Sequence, residues 1–205
     1  MRYINKTRFF AVFFTITLLF TLFLSYAKSA GTNISKSVLR LHVIANSNSH
    51  SDQQLKLRVR DSILNKASSL FSSTASSDEA LRIADTNASF LKEIAEKEIR
   101  RYGYDYPVSV TVGESAFPTK TYDDITLPAG KYNAVRIEIG EAKGENWWCV
   151  MYPPLCFTNG ILSVSDNSKT QLKNSLSESD YKLISQKSAP VKVRFKIVEF
   201  FQSIF

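Results

Sequence analysis

An apolar run over residues 9–24 is the first feature of the hydrophobic pattern, and three basic residues precede it. A basic segment, an apolar stretch and a small-x-small triplet, here residues 25–27, are the three parts of a secretory signal. The run of 16 residues is shorter than the roughly 20 that span a bilayer as a helix. We therefore predict a signal peptide over residues 1–27, cleaved between Ala27 and Lys28. A retained membrane anchor is the alternative.

Alternating apolar positions and four-residue spacings divide the rest of the chain into strands and helices. A polar spacer over residues 28–37 precedes residues 38–45, where an apolar face alternates with a mixed one, and this pattern predicts a strand. A helix is expected from Ser51, which forms a capping box with Gln54. A second helix is expected over residues 76–102, with its apolar residues on one side. The first half of the chain is thus a strand followed by two helices.

The second half of the chain has mainly the two-residue period of strands. Four strands are expected, over residues 108–112, 119–122, 135–139 and 147–152. A polar helix over residues 163–188 and a last strand over residues 191–197, paired beside the first strand, complete the pattern. This order predicts an α+β fold, with a mainly antiparallel sheet of about five to six strands and two or three helices packed on one face. We expect residues 38–205 to form a single exported domain.

Composition excludes several functional classes. The chain has 205 residues, 44% of them hydrophobic, which suits one folded domain and not a disordered protein. Without the three basic residues of the signal segment, 23 basic residues face 19 acidic ones and form no basic stripe, so we expect no nucleic-acid binding. Two cysteines and two histidines are too few for a four-cysteine zinc site, and we predict neither a metal nor another cofactor.

The densest cluster of unusual residues is the segment AKGENWWCVMYPPLC, residues 142–156. Trp147 and Trp148 are adjacent on a predicted strand, so their rings are expected to point to opposite faces of the sheet. One ring then enters the core while the other lies at or near the surface, where tryptophan is a frequent binding hot spot. The alternative is that both rings are covered, one by the helices and one by the C-terminal segment.

Cys149 and Cys156 lie in the same segment, seven residues apart. A straight strand would separate them by about 20 Å or more, but Pro153 and Pro154 impose a turn that brings them within disulfide reach. Two buried free thiols, or a redox-active or nucleophilic cysteine, are the alternatives. A nucleophilic pair of Cys149 with His42 would make the protein a secreted hydrolase or a cell-wall-modifying enzyme, although no local signature accompanies the pair.

Polar residues concentrate in the loop 46–52 and on the helix that follows it. The loop lacks the carboxylates and the glycine of a calcium-binding loop, and helix capping accounts for its side chains. The basic residues of the helix indicate a solvated face, with a docking surface as the alternative. The predicted partner-binding set combines His42 of the first strand, residues of this loop and helix, and the tryptophan pair. Its members are His42, Asn46, Asp52, Lys56, Arg58, Arg60, Trp147 and Trp148.

Three segments resemble the signature segments of the stage II sporulation protein R family of endospore-forming bacteria. They are RLHVIANSNSHSDQQLKLRVRD (residues 40–61), FPTKTY (117–122) and LPAGKYNAVRIEIGEAKGENWWCVMYPPLC (127–156). Their order and spacing also agree, and the block from the tryptophan pair to the second cysteine is specific. Asn48 is a departure, since the family pattern usually has an acidic residue there. The resemblance is weak from residue 157 onward.

The resemblance implies a signalling protein of sporulation. Such a protein is made in the forespore and exported into the space between the two membranes of the septum. There it activates a mother-cell membrane aspartic protease of the stage II sporulation protein GA type, which removes the pro-sequence of the sigma factor sigma-E.

A signal of this kind is expected to act as a non-enzymatic ligand that biases the protease toward its active state. We then expect no small-molecule substrate, and membrane contact only through the N-terminal segment. The secreted hydrolase built around Cys149 and His42 remains the alternative function.

Overall fold

The computed structural model describes residues 6–71, 74–155 and 164–185. Its helices are α1 (Lys6–Lys36), α2 (His50–Leu70), α3 (Ser77–Thr86), α4 (Ala88–Arg101), α5 (Asp166–Asn174) and α6 (Glu178–Ile184). Its strands are β1 (Leu39–Ile44), β2 (Val108–Phe117), β3 (Lys120–Tyr122), β4 (Ile125–Leu127), β5 (Gly130–Ile139) and β6 (Asn146–Tyr152). The α+β class predicted from the sequence is confirmed.

The main sheet has four strands in the order β2–β5–β1–β6, within the described part of the chain. β1 runs parallel to β5 and antiparallel to β6, while β2 runs antiparallel to β5. The sheet is therefore mixed, with two antiparallel pairs and one parallel pair. A second, two-stranded sheet consists of β3 and β4.

The two faces of the main sheet pack against different cores. On one face, Leu39, Leu41 and Val43 of β1 contact the apolar stripes of the helices between β1 and β2. The stripe of α2 is the predicted one, with Leu55 and Val59 fully buried. Burial of this face accounts for the wholly apolar side of the first strand.

The opposite face is also covered, which adds a layer to the predicted helices on one face. Ile34 of α1, Leu172 of α5 and Ile184 of α6 pack there with the small sheet and with Tyr132 of β5. The described part of the chain thus forms one α+β unit with helices on both sides of its main sheet.

Residues 28–36 of the segment 28–37, predicted as a polar spacer, instead form the last turns of α1. Ala30 and Ile34, four residues apart on one side of the helix, are 4% and 1% exposed. Asn33 donates a hydrogen bond to Asp180 of α6 at 3.2 Å. The spacer interpretation was wrong because two apolar positions at helical spacing are sufficient to dock a short, otherwise polar helix end.

Two predicted helices are each divided in the structure. The helix expected over residues 76–102 is α3 followed by α4, because the Asn87 side chain bonds the Ile83 carbonyl at 2.7 Å and ends the first helix. The polar helix expected over 163–188 contains α5 and α6 in its described part. The predicted cap at Ser76 is confirmed, since its side chain accepts from the Glu79 amide.

Two further differences concern the start of a helix and a short strand. α2 begins at His50, and the side chain that accepts from its first turn is Ser49 rather than the predicted Ser51. β4 was not predicted, because three residues are too short for a recognisable alternation. The predicted last strand, 191–197, lies outside the described residues, but β5 and β6 already occupy both edges of β1. No edge of β1 is therefore left free for the strand that was predicted to pair with it.

Candidate functional site

The loop after β1 and the turn between β5 and β6 meet at one edge of the main sheet. Because β1 and β5 are parallel, their C-terminal ends lie at the same edge, and antiparallel β6 begins there. The loop 45–49 after β1 therefore lies against the turn 140–145 between β5 and β6. We call this loop and turn the clasp. It contains the ANSNS and GEAKGE motifs noted in the sequence.

Hydrogen bonds across the clasp involve mostly backbone groups of the turn. The amides of Lys143 and Gly144 donate to the carbonyls of Asn46 and Ala45, at 3.1 and 2.9 Å. The Asn46 side-chain oxygen accepts from the Glu141 amide at 2.9 Å. The two segments are thus joined by specific groups rather than by apolar packing.

Asn48 extends the clasp through its side chain. Its Oδ1 accepts a hydrogen bond from the Glu145 amide at 2.7 Å. A carboxylate at this position would offer the same acceptor, so the departure of Asn48 from the acidic family pattern preserves this bond.

Asp52 is the buried acid of the site and holds the loop side of the clasp. Its Oδ2 accepts from the Asn46 side-chain amide at 2.9 Å and from the Ser47 hydroxyl at 2.6 Å. Burial alone would raise the pKa of this carboxyl, but the hydrogen bonds from Ser47, Asn46, Tyr106 and Ser49 together lower it below its usual value. Asp52 is therefore a structural anion that cannot contact a partner directly.

Lys56 and Arg60 are buried, which corrects the prediction of a solvated basic face on α2. They are 4% and 8% exposed. Lys56 Nζ donates to the Glu145 carbonyl at 2.9 Å and to the Gln53 side chain at 2.6 Å. Burial lowers its pKa. The flexible stem lets the helix bury this charge where a carbonyl is available to pair with it.

Arg60 links α2 to the tryptophan strand, which is β6 with Trp147 and Trp148. Its guanidinium carbon lies 4.2 Å from the centre of the Trp147 ring, and it also pairs with Asp61 at 2.6 Å. The two surfaces that the sequence analysis singled out, the helix and the tryptophan strand, are therefore in contact. The contact is a packed cation–π pair at a half-buried ring.

Arg58 is the exposed member of the predicted basic set. It donates to the Tyr102 hydroxyl at 2.7 Å and stacks 4.3 Å from the centre of that ring. Tyr102 is itself exposed. This exposed Arg–Tyr pair joins α2 to the C-terminal end of α4.

The tryptophan pair has the predicted geometry, because the two rings pack on opposite faces of the sheet. Trp147 packs against the core of α2–α4 and Trp148 against the opposite core. Both rings are half-buried. Neither interpretation of the sequence, one exposed ring or two covered rings, describes the pair fully.

His42 lies under Trp148 on that second face. The two rings stack with their centres 3.8 Å apart, and His42 Nε2 is 2.6 Å from the Asn146 side-chain oxygen. Its Nδ1 is buried without a hydrogen-bond partner. Burial is the largest effect that lowers the pKa of His42, and the neighbouring Arg136 and Arg40 lower it further.

Arg40 was not predicted as a site residue. It is fully buried, donates from Nη2 to the Tyr122 hydroxyl at 2.9 Å, and lies 4.0 Å from the centre of the Phe117 ring and 4.6 Å from that of Tyr132. Its Nε and Nη1 have no hydrogen-bond partner. The signal in the sequence was an arginine on the same side of a buried strand as His42, together with an excess of aromatic residues in the paired segments.

The structure does not bring together Cys149 and His42, the pair on which the hydrolase alternative depends. Cys149 pairs with Leu41 in the sheet and faces the core of α2–α4, whereas His42 faces the opposite core. Cys149 is also fully buried, so its sulfur is not accessible to a substrate. Cys156 lies outside the described residues, and its pairing with Cys149 stays a prediction.

Two other site predictions concern metal binding and cleavage of the signal segment. In the described ranges 6–71, 74–155 and 164–185, no group of three or more His, Cys, Asp or Glu side chains is placed to hold a metal ion. The predicted cleavage site between Ala27 and Lys28 lies within the continuous helix α1.

His42 makes stability depend on pH. Because its pKa is lower in the folded chain than the ordinary value of 6.5, the unfolded chain binds more protons as the pH falls below 6.5. The contribution of His42 to stability is then complete above pH 6.5, and it is lost as the pH falls toward the pKa that His42 has in the folded chain. We expect His42→Gln to reduce the loss of unfolding free energy between pH 7.5 and about pH 5.5.

Urea unfolding at both pH values measures this slope. His50→Gln, at an exposed histidine, is the matched control. An unchanged slope in His42→Gln would show that His42 does not carry the pH dependence.

Comparison with known proteins identifies the family. The model of the family described as Stage II sporulation protein R (spore_II_R) matches residues 35–161. Stage II sporulation protein R of Bacillus subtilis (strain 168) is 38% identical over 124 residues, which are 60% of this chain and 55% of that protein. The match thus spans about half the length of that relative. No solved structure matches the chain. Since the family model covers more than half of its residues, the chain belongs to the stage II sporulation protein R family.

Proposed function

We propose that this protein is a signal between the two cells of a sporulating bacterium. It is made in the forespore and presented on the outer side of its membrane. It binds the outward-facing part of a membrane aspartic protease of the stage II sporulation protein GA type in the mother cell. Binding favours the active state of that protease, which then removes the pro-sequence of sigma-E. The observation that carries the proposal is the family match over residues 35–161.

The N-terminal helix supports export. Residues 8–36 form one helix that is long and apolar enough to cross a membrane, and none of its most apolar window is buried in the domain. Basic residues stand before the apolar run, which favours a cytoplasmic N-terminus. The folded domain then lies on the outer side, where a receptor on the facing membrane can reach it.

The geometry of the site favours a ligand over the hydrolase. Cys149 and His42 face different cores, and the buried charges Asp52 and Lys56 are used to hold the clasp. These groups fix the shape of one end of the domain without meeting at a reactive centre. A ligand needs a shape and an accessible surface, and the same arrangement provides a rigid one.

The accessible part of the predicted partner-binding set narrows to a few residues. Arg58 and Tyr102 form an exposed Arg–Tyr pair. The half-buried Trp147 and Trp148 belong to β6, an edge strand of the described sheet. Arginine, tyrosine and tryptophan are the residue types most enriched among binding hot spots. We assign the docking surface to these side chains.

Reconstitution in a bacterium that does not sporulate tests the function. The full chain, the protease and pro-sigma-E are expressed together, and removal of the pro-sequence is followed by immunoblotting. We expect processing only when all three are present and the chain is exported. A chain lacking residues 1–27 is expected to stay in the cytoplasm and to give no processing. Processing without the protease, or with the unexported chain, would contradict the proposal.

The docking surface is tested by Arg58→Glu in the same assay. An exposed hot-spot arginine contributes about 2 kcal/mol to binding, so we expect processing to fall at least about tenfold when the chain is limiting. Because the Arg58–Tyr102 contact is exposed, the free energy of unfolding should change by less than about 1 kcal/mol. Arg82→Glu, at an exposed arginine of α3, is the matched control. Normal processing by a stable Arg58→Glu variant would remove this pair from the docking surface.

A further inference from the structure

A basic residue stands at each end of the apolar part of α1, and the distance between the two matches the thickness of a membrane. Arg8 and Lys28 are both in the helix, and 20 residues at about 1.5 Å each place them about 30 Å apart along its axis. That is the thickness of the hydrocarbon core of a typical bilayer. Lys28 then marks the outer boundary, and Tyr26 lies at the interface position that tyrosine favours.

A groove lies beside this boundary. Its volume is about 520 Å³, and it runs between α1 and two parts of the folded domain, residues 128–132 at the start of β5 and Leu183 of α6. Phe23 and Tyr26 line it on the membrane side of Lys28. The domain therefore approaches α1 closely enough to share a groove with residues at membrane depth.

Leu183 is an unusual surface residue. Its side chain is 57% exposed, and in the described residues the only other exposed large hydrophobic side chains outside α1 are Phe90 and Tyr102. Its position in the groove wall places it next to the apolar part of α1. An exposed leucine there is continuous with the surface that the membrane covers.

Two lysines also line this groove. Lys28 and Lys131 both line it, and both are exposed. Neither has an ion-pair partner among the described residues. An apolar groove with unpaired ammonium groups at the level of the headgroups is complementary to a lipid that carries a negative charge.

We propose that this groove binds an anionic phospholipid from the outer leaflet of the membrane that α1 crosses. The acyl chains lie against Phe23, Tyr26 and Leu183, and the phosphate lies between Lys28 and Lys131. The site requires residues 1–27 to be retained as an anchor, which is the alternative to the predicted cleavage. It is independent of the proposed docking to the protease, which uses another surface. The lipid would fix the orientation of the domain above its own membrane.

Lipid binding to the full chain tests the site. The chain is kept in a non-ionic detergent and titrated with dioctanoyl phosphatidylglycerol or dioctanoyl phosphatidylcholine, and bound lipid is counted by native mass spectrometry. We expect tighter binding of the anionic lipid. Lys131→Glu should lower that affinity at least about fivefold and leave the phosphatidylcholine affinity unchanged. Leu183→Gln should weaken binding of both lipids.

Matched variants separate this site from general surface effects. Lys120→Glu and Phe90→Gln change an exposed lysine and an exposed large hydrophobic residue outside the groove and should leave both affinities unchanged. Equal affinity for the two lipids, or equal effects of Lys131→Glu and Lys120→Glu, would overturn the proposal. So would a protein from sporulating cells that begins at Lys28, since the groove then loses its membrane wall. Loss of processing by Leu183→Gln with normal lipid binding would assign the groove to the protease instead.

Discussion

Gly144→Ala is expected to lower the free energy of unfolding by about 3 kcal/mol. A β-carbon at residue 144 would lie 2.3 Å from the Ser47 carbonyl oxygen and 2.8 Å from the β-carbon of Ala45. The oxygen belongs to the backbone of the clasp, so it cannot move aside as the end of a side chain would. The hydrogen bond from the Gly144 amide to the Ala45 carbonyl would be displaced at the same time.

Urea unfolding, followed by tryptophan fluorescence, measures this effect because both tryptophans lie on β6 next to the clasp. Gly130→Ala is the control, since its β-carbon would meet only the Tyr132 ring at an ordinary 3.6 Å. We expect the control to change the unfolding free energy by less than about 1 kcal/mol. Equal stability of the two variants would mean that the clasp opens at little cost.

The clasp changes the interpretation of the family signature. From the sequence, helix capping accounts for the loop around ANSNS, and a docking surface is the alternative for the basic residues that follow it. In the structure, Asn46, Asn48 and Lys56 satisfy backbone groups of the turn 140–145, and Asp52 satisfies Asn46. The polar motif is therefore required to join two loops that carry few apolar side chains. The proposed docking surface therefore lies outside the motif, at residues such as Arg58.

Local patterns predicted most of the elements. The four-residue spacing of Leu55, Val59 and Ile63 specifies the buried side of α2, and the alternation in β1 predicts its apolar face, although the opposite face of β1 is buried as well. The break at Asn87 was missed because it depends on a single side chain that competes for a backbone carbonyl. Burial of Ile34 was missed because it depends on β5 and α6, which are distant in the sequence.

The site was predicted less well than the fold, for a related reason. A lysine or arginine on a helix is usually solvated, and only the distant partner decides otherwise: the Glu145 carbonyl for Lys56, and the Trp147 ring for Arg60. The opposite orientations of Trp147 and Trp148 were predictable, since they follow from strand geometry alone. How deeply each ring is buried could not be predicted from strand geometry, because it depends on what packs over the ring.

Asp52→Ala is expected to destabilise the domain by about 3 kcal/mol or more. The carboxylate is 4% exposed and accepts from the Asn46 and Ser47 side chains, so its removal leaves donors without an acceptor in a poorly hydrated position. Asp52→Asn retains one acceptor oxygen and is expected to cost less. Both variants keep Ser49, which caps α2, so their difference reports on the carboxylate and not on the start of the helix.

The pH dependence distinguishes this role from a simple loss of packing. The pKa of Asp52 is below its ordinary value of 3.8 in the folded chain, so its contribution is complete above pH 3.8 and is lost as the pH falls through the folded pKa. We expect urea unfolding to show a smaller gap between the natural chain and Asp52→Asn at about pH 2.5 than at pH 6. A gap that is constant with pH would show that the charge on Asp52 does not stabilise the clasp, and that only the shape of the side chain matters there.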